Sequence, residues 1–171
     1  MPGQQPAQVE GQLTVATSPT PVRRVWLRPV SPGAPAEVIE AIATADQVVL
    51  GPGSLYTSVL AVCAVPEIRQ ALSAREGGRA YVCNLRPQQG ETSGYDADAH
   101  IAALVAHGVV ADTVLCDPAS EVGVPSGAGD LLSALAGPEA GGAKVVAVPL
   151  SAQGGHSHDP ALLAEVLEAL L

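Results

Sequence analysis

A glycine-rich turn followed by hydroxyl residues is the part of this sequence best suited to hold an anion. The apolar run 47–50 leads into Gly-Pro-Gly-Ser at 51–54, and a helix is predicted to begin directly after it. Glycine lets a backbone approach a ligand closely. The first N–H groups of a helix are unpaired and carry partial positive charge. The pattern predicts a cradle for a phosphate or another anion, formed by Gly51, Gly53, Ser54, Tyr56 and Thr57.

The same residues also have a purely structural interpretation. Strand–glycine–helix turns are common in α/β proteins, so the turn alone does not identify a ligand. Ser54 and Thr57 are good helix-capping residues. Tyr56 fits the edge of a hydrophobic core as well as it fits a ligand contact.

A second polar loop follows the predicted strand 79–85. Asn84 ends that strand, and Tyr95 offers a ring that can stack on a base or sugar, worth about 1–3 kcal/mol. Glu91 has three open roles, as a metal ligand, as an acceptor from a sugar hydroxyl, or as a cap for the following helix, and the cap is favoured. Arg86 is the best nearby cation for a diphosphate. The predicted ligand contacts of this loop and the next helix are Asn84, Gln88, Glu91, Thr92, Tyr95 and His100, although a lone helical histidine is more often structural.

Short apolar strands alternate with helices along the chain, which favours an α/β fold with a parallel sheet and helices on its faces. Ligands of such sheets bind at the carboxyl ends of the strands, where both loops lie. A flexible insertion is expected over 119–142, with a short helix near 130–135, and Asp159 is a plausible N-cap. The predicted strands are 11–17, 22–27, 48–50, 79–85, 113–116 and 144–148, and the predicted helices are 36–45, 55–62, 66–73, 97–107 and 160–171.

Composition excludes several classes of function. The 171 residues suit one domain, expected as a disordered lead-in over 1–9 and a folded part over 10–171. The net charge is −9 with no basic run longer than two residues, which argues against nucleic-acid binding.

The sequence also predicts a soluble cytoplasmic protein with reduced thiols. It has three cysteines without a CxxC pair, and it shows no signal peptide and no apolar run long enough to span a membrane. His156, His158 and Asp159 lack the second segment that a zinc site needs, so no metal site is assigned.

The two loops together resemble a known family. GPGSLYTS at 51–58, followed by YVCNLRPQQGET at 81–92, is similar to the YvcK/CofD-like family, in particular to its gluconeogenesis-factor branch. The resemblance implies a Rossmann-like three-layer α/β/α fold with a mainly parallel sheet. It also implies a binding protein for a UDP-sugar, typically UDP-N-acetylglucosamine, that supports growth and cell shape on gluconeogenic carbon sources. No firm catalytic activity and no cofactor come with that role.

The sister branch of the family offers an enzymatic alternative. It comprises magnesium-dependent 2-phospho-L-lactate transferases of coenzyme F420 biosynthesis, which have a Pro-Ser-Asn-Pro-type loop where this chain has Gly-Pro-Gly-Ser. That difference favours the binding protein. The chain also departs from the first branch, with Ala61-Val62 where Pro-Asn is usual, Ala99 before His100 in place of an aspartate, and Ser157 before His158 in place of an arginine.

The resemblance also concerns only the second half of the family domain. Family members are longer and carry a glycine-rich phosphate loop in their N-terminal half, and nothing like it occurs here. A sheet without its first strands exposes an apolar edge, so self-association or pairing with a separate N-terminal half is expected. A truncated remnant that binds nothing is the third alternative.

Overall fold

The fold is described from a computed structural model that covers residues 8–19, 21–125, 139–140 and 142–171. The helix predicted near 130–135, much of the insertion predicted over 119–142, and all but two residues of the predicted lead-in lie outside these ranges. The helices are α1 Gln12–Ala16, α2 Ala36–Thr44, a π-helix Leu55–Leu60, α3 Ala61–Cys63, α4 Pro66–Ala74, α5 Ala97–Ala106 and α6 Pro160–Glu168. The strands are β1 Val48–Leu50, β2 Arg79–Val82, β3 Thr113–Cys116, β4 Glu139–Ala140 and β5 Ala143–Ala147.

The strands form one sheet in the order β1-β2-β3-β5-β4. The pairs β1–β2, β2–β3 and β3–β5 are parallel, and β4 is antiparallel to β5. The α/β class and the mainly parallel sheet predicted from the sequence are therefore confirmed. Because the four parallel strands point the same way, their carboxyl ends lie along one edge of the sheet.

Strand register explains why the sheet has helices on both faces. Leu50, Tyr81, Val114 and Val145 are successive partners across the sheet, and all four belong to the larger core cluster, which also contains the π-helix and α5. Side chains alternate between the two faces of a strand. The residues that follow three of them in their strands, Val82, Leu115 and Val146, therefore point to the other face of the sheet, where they pack against α6. The result is three layers, with buried apolar side chains on each side of the sheet.

Side-chain caps fix where two of the helices begin. Asp159 accepts hydrogen bonds from the N–H groups of Ala161 and Leu162, which confirms it as the N-cap of α6, and Pro160 occupies the first turn. Asp96 caps α5 by accepting from the N–H of Ala99 at 2.8 Å. Both caps satisfy amides that have no partner within their own helix.

The two strands predicted near the N-terminus are wrong. Residues 12–16 form α1, and residues 21–28 have no regular secondary structure. The valines and threonines of these stretches suit a strand, but a strand also needs a neighbour to accept its backbone hydrogen bonds, and the described residues offer none here. The first stretch instead forms α1, which packs against the π-helix. The second is an irregular segment whose Val22 and Val25 pack against the larger core.

No helix within the described ranges is long and apolar enough to cross a bilayer. The cysteines Cys63, Cys83 and Cys116 are free and buried, as expected from their apolar sequence context.

Candidate functional site

The first predicted loop follows β1, and its two glycines differ in their surroundings. Gly51 has a φ of +87°, and a Cβ atom there would lie 3.1 Å from the carbonyl oxygen of Val82. Glycine is therefore required at 51 by the neighbouring strand as well as by its own backbone. Gly53 has no positive φ, and its nearest neighbour would be the Cβ of Ser58 at 3.6 Å, an ordinary contact. Of the two glycines, only Gly53 has room beside it.

The start of the π-helix is occupied by a carboxylate from the second loop. The Glu91 side chain accepts hydrogen bonds from the N–H of Tyr56 at 3.1 Å and the N–H of Thr57 at 3.3 Å. Its other oxygen accepts from the Thr57 hydroxyl at 2.5 Å. Glu91 is only 2% exposed, so this contact is sealed from solvent. An internal anion thus holds the place that the sequence predicted for a bound one.

Two sequence-based expectations change as a result. The amides of Tyr56 and Thr57 were expected to be unpaired, and that is wrong because Glu91 accepts from both. Glu91 was expected to cap the helix that follows it, but Asp96 caps that helix and Glu91 caps the earlier one. That Tyr56, Thr57 and Glu91 contact a ligand stays a prediction.

Polar groups that lack a partner are found in the middle of the second loop. Gln88 donates from Nε2 to the Ser54 hydroxyl at 2.9 Å, which joins the two loops. Its Oε1 atom is buried and accepts no hydrogen bond from the described residues, and the same holds for Oδ1 of Asn84. Thr92 is fully buried, and its hydroxyl accepts from the N–H of Gln88 at 2.8 Å. Thr92 therefore shapes the loop, while Asn84 and Gln88 each keep a buried acceptor that no described residue satisfies.

The aromatic residues of the predicted site are packed into the protein. The Tyr56 and Tyr95 hydroxyls lie 2.8 Å apart, and Tyr95 donates onward to the carbonyl of Val22. Burial, and then the hydrogen bond with Tyr95, raises the pKa of the Tyr56 phenol well above its ordinary value. The Tyr95 ring meets the His100 ring edge-on, with centroids 5.6 Å apart. Tyr95 thus already contacts Tyr56, Val22 and His100 within the protein.

His100 is fully buried behind these tyrosines. Its Nδ1 donates to the Asp96 carbonyl at 2.8 Å, so the neutral ring leaves Nε2 as an acceptor. That Nε2 atom has no partner among the described residues. Burial lowers the pKa of His100 below the ordinary value for histidine, although the Asp96 contacts oppose the shift.

Asp117 was not among the predicted site residues, yet it organises the loops after β3 and β5. Its carboxylate accepts from the N–H groups of Leu150 at 2.9 Å, Ser151 at 2.7 Å and Ala119 at 2.7 Å. Burial works to raise the pKa of Asp117, but these hydrogen bonds outweigh it and the pKa is lowered. An aspartate directly after a buried strand was the available signal, because that is the ligand-binding end of a parallel sheet.

Arg86 and the two late histidines link the second loop to the loop before α6. Arg86 forms an ion pair with Glu121 at 3.1 Å and donates to Nδ1 of His156 at 2.7 Å. His158 donates from Nε2 to the carbonyl of Cys83 at 3.2 Å. The residues of the His156–Asp159 cluster thus have different partners. No group of three or more His, Cys, Asp or Glu side chains converges on a metal position within the described ranges.

A shallow concavity lies away from these loops. It is an open groove of about 680 Å³ between α2 and α4, with Ile39, Ala71 and Arg75 among its walls. Arg75 is held there by the carbonyls of Ile42 and Ala45, which end α2. This groove shares no lining residue with the two loops of the candidate site.

A parallel sheet with helices on its faces and polar loops at the carboxyl ends of its strands defines an α/β protein with a Rossmann-like architecture. This chain belongs to the CofD family, since the family model described as 2-phospho-L-lactate transferase CofD matches residues 3–125. The chain is 39% identical over 110 residues to the gluconeogenesis factor of Halalkalibacterium halodurans, covering 63% of this chain and 34% of that protein. A Mycobacterium tuberculosis protein (strain H37Rv) whose name also refers to a gluconeogenesis factor is 44% identical over 99 residues, covering 58% of this chain and 29% of that one.

Solved structures agree with this assignment. A crystal structure of a UPF0052 family member from Bacillus halodurans is similar with a TM-score of 0.75 and 29% identity. The match covers 95% of this chain and 54% of that one. The chain thus spans about half the length of that structure and a smaller share of the curated relatives it matches. The resemblance read from the two loops is confirmed.

Proposed function

We propose that this chain supplies the ligand-side loops of a non-catalytic protein that binds a UDP-sugar of the UDP-N-acetylglucosamine type. The observation that carries the proposal is the pair of buried acceptors, Oδ1 of Asn84 and Oε1 of Gln88, which lack donors among the described residues. A buried polar atom without a partner costs about 1–3 kcal/mol. Two of them in one loop favour a ligand rich in donors, and sugar hydroxyls and the uracil ring N–H are such donors.

The phosphates of the ligand would bind away from the start of the π-helix, because Glu91 already satisfies the amides there. Arg86 is the cation best placed to receive them. Its partner Glu121 is 61% exposed, and a surface ion pair of this kind contributes only about 0–1 kcal/mol. Exchange of Glu121 for a diphosphate therefore costs little. Gly53 and Ser54 follow β1 at the same edge of the sheet, and a Cβ atom at Gly53 would meet only the Ser58 side chain, at 3.6 Å.

The names of the relatives support a role in gluconeogenesis, and support of growth and cell shape on gluconeogenic carbon sources belongs to this proposal.

A protein partner also belongs to the proposal. β1 is at the edge of the described sheet, and the side chain of Val49 in it is exposed. An edge strand offers unpaired main-chain groups to another chain. Self-association, or pairing with a separate N-terminal half, would cover it, and light scattering during size-exclusion chromatography measures either one.

Calorimetric titration of the purified chain with UDP-N-acetylglucosamine, with UDP-glucose and GTP as comparators, tests the ligand. We expect the UDP-sugars to bind and GTP to bind more weakly. Asn84→Ala and Gln88→Ala should each weaken binding about tenfold, since each removes a hydrogen bond to the ligand. Gln70→Ala, an exposed change on α4, is the matched control. If the chain melts cooperatively yet no UDP-sugar binds, the proposal is wrong for this chain on its own.

The family match favours a transferase as the second candidate, because the matching model is described as a 2-phospho-L-lactate transferase. Such an enzyme would require magnesium and a nucleotide-activated phospholactate donor. Incubation with a labelled donor and Mg²⁺ separates the two functions. Release of labelled product that depends on Mg²⁺ would support the transferase and exclude a purely binding role.

A further inference from the structure

An irregular segment, residues 21–30, crosses the surface beside the aromatic residues of the candidate site, and we call it the basic strap. Val22 and Val25 face inward and pack against the larger core. Two hydrogen bonds fasten it. The Tyr95 hydroxyl donates to the Val22 carbonyl at 3.2 Å, and the N–H of Val25 donates to Nε2 of His107 at 3.2 Å. The strap is therefore held in place although it belongs to no helix or sheet.

The outward face of the strap carries three arginines without partners. Arg23, Arg24 and Arg28 are exposed, and none has an ion pair or hydrogen bond with any described residue. The chain has eight Lys and Arg residues in total against seventeen Asp and Glu, so acidic residues outnumber basic ones about two to one. The other four arginines are all engaged within the fold. They are Arg69 with Cys63, Arg75 with Ile42 and Ala45, Arg79 with Asp112, and Arg86 with Glu121.

Large apolar side chains stand among these charges. Trp26 is the only tryptophan of the chain, and it is 50% exposed between the arginines. Val30, two residues beyond Arg28, is 77% exposed. Tryptophan and arginine are the residues most enriched among the energetic centres of protein interfaces. An exposed tryptophan flanked by unpaired arginines has the composition of such a centre.

The main chain of the strap is also available. Within 22–28, only the Val22 carbonyl and the Val25 N–H have hydrogen-bond partners in the described structure. An unpaired backbone can receive a second polypeptide by main-chain hydrogen bonding. A polypeptide segment can use both the N–H donors and the carbonyl acceptors of this backbone, whereas a small anion or a lipid phosphate can accept only from the N–H groups.

We propose that the outer face of the basic strap is a docking surface for an acidic polypeptide segment of a partner protein. Carboxylates of the partner pair with Arg23, Arg24 and Arg28, and an apolar side chain covers Trp26. The anchors at Val22 and Val25 keep the backbone ordered before binding, which lowers the entropy lost on association. This surface is separate from the groups assigned to the UDP-sugar.

Trp26 itself reports on the test, because its fluorescence is not mixed with that of another tryptophan. A ten-residue peptide of Glu and Leu is titrated into the chain at low salt, beside a peptide with Lys in every Glu position. We expect the acidic peptide alone to shift the Trp26 emission to the blue and to bind more weakly as salt is added. Arg23→Gln, Arg24→Gln and Arg28→Gln together should weaken its binding about tenfold.

Lys144→Gln is the matched control, since Lys144 is an exposed basic residue on β5 and away from the strap. It should leave binding within about twofold. No emission change with the acidic peptide would overturn the proposal, and so would equal binding by the triple variant. Anionic phosphatidylserine vesicles serve as the competing occupant. If they bind more tightly than the peptide and lose affinity in the triple variant, the strap is a membrane surface and the proposal is wrong.

Discussion

Glu91 binds Thr57 through both of its carboxylate oxygens, one accepting from the backbone N–H and the other from the side-chain hydroxyl. The contact joins the loop after β2 to the helix after β1. It also places a negative charge at a helix start, where the helix dipole favours it. The two sequence motifs are therefore parts of one hydrogen-bonded unit.

Removal of the Glu91 carboxylate should destabilise the fold. Glu91→Ala leaves the Tyr56 and Thr57 amides and the Thr57 hydroxyl without their acceptor in a buried place, so we expect the free energy of unfolding to fall by about 1–3 kcal/mol. Urea denaturation followed by circular dichroism measures it. Glu121→Ala removes an exposed carboxylate from a surface ion pair and should cost less than about 0.5 kcal/mol. Equal losses for the two variants would contradict the capping role.

Acid should weaken the fold through Asp117. The pKa of Asp117 is lowered in the folded state from its ordinary value of 3.8. A lowered carboxyl pKa stabilises the fold above the unfolded-state pKa, and that contribution is lost as pH falls through the folded-state pKa. The free energy of unfolding should therefore decrease between about pH 5 and pH 2. Asp117→Asn should be less stable at pH 7 and should show a shallower decrease, and an unchanged slope would refute this assignment.

His100 should contribute a separate pH dependence nearer neutrality. Burial lowers the pKa of His100 below 6.5, so in acid the unfolded chain takes up a proton that the folded chain does not. Stability from His100 is present above pH 6.5 and is lost as pH falls from there toward the folded-state pKa. His158, whose pKa is also lowered mainly by burial, acts in the same direction.

Thermal unfolding between pH 7.5 and 5.5 tests this, with His100→Gln as the variant. We expect the wild-type melting temperature to drop across this range and that of the variant to drop less. In NMR spectra the His100 ring signals should begin to titrate only below pH 6.5. Titration of that ring at or above pH 6.5 would contradict the buried neutral state.

Gly90 should tolerate no side chain. It has a φ of +91°, and a Cβ atom there would meet the carbonyl oxygen of Ala16 at the end of α1. Gly90→Ala should therefore lower the free energy of unfolding by about 2–3 kcal/mol, through backbone strain and displacement of α1. Gly94→Ala is a matched control, since Gly94 also has a positive φ but nothing within 4 Å. It should cost about 1 kcal/mol, and if it costs as much as Gly90→Ala, the contact with α1 contributes nothing.

Much of the architecture could be predicted because local patterns and global packing agree. β3 was predicted at its observed bounds, and Asp159 was recognised as a cap from residue type alone. The N-terminal strands were mispredicted because β-propensity depends on a partner strand that residue types cannot reveal. Asp117 was missed for a similar reason, since its partners at 150–151 are distant in sequence.

The sequence by itself determined the α/β class, the parallel order of short apolar strands, the family, and the two loops at the carboxyl ends. The fold class and the position of the loops follow from periodicity and glycine placement, and the family follows from the resemblance of the two loop motifs; all of these are local properties of the chain. The tertiary structure alone decided which polar groups are used up inside the fold and which remain free. Glu91 fills the helix start, while the acceptors of Asn84 and Gln88 and the arginines of the basic strap find no partner among the described residues. The Glu91 and Gln88 hydrogen bonds join groups 34 or 35 residues apart in the chain, and the bonds that anchor the basic strap join groups 73 and 82 residues apart. Only three-dimensional packing brings such groups together.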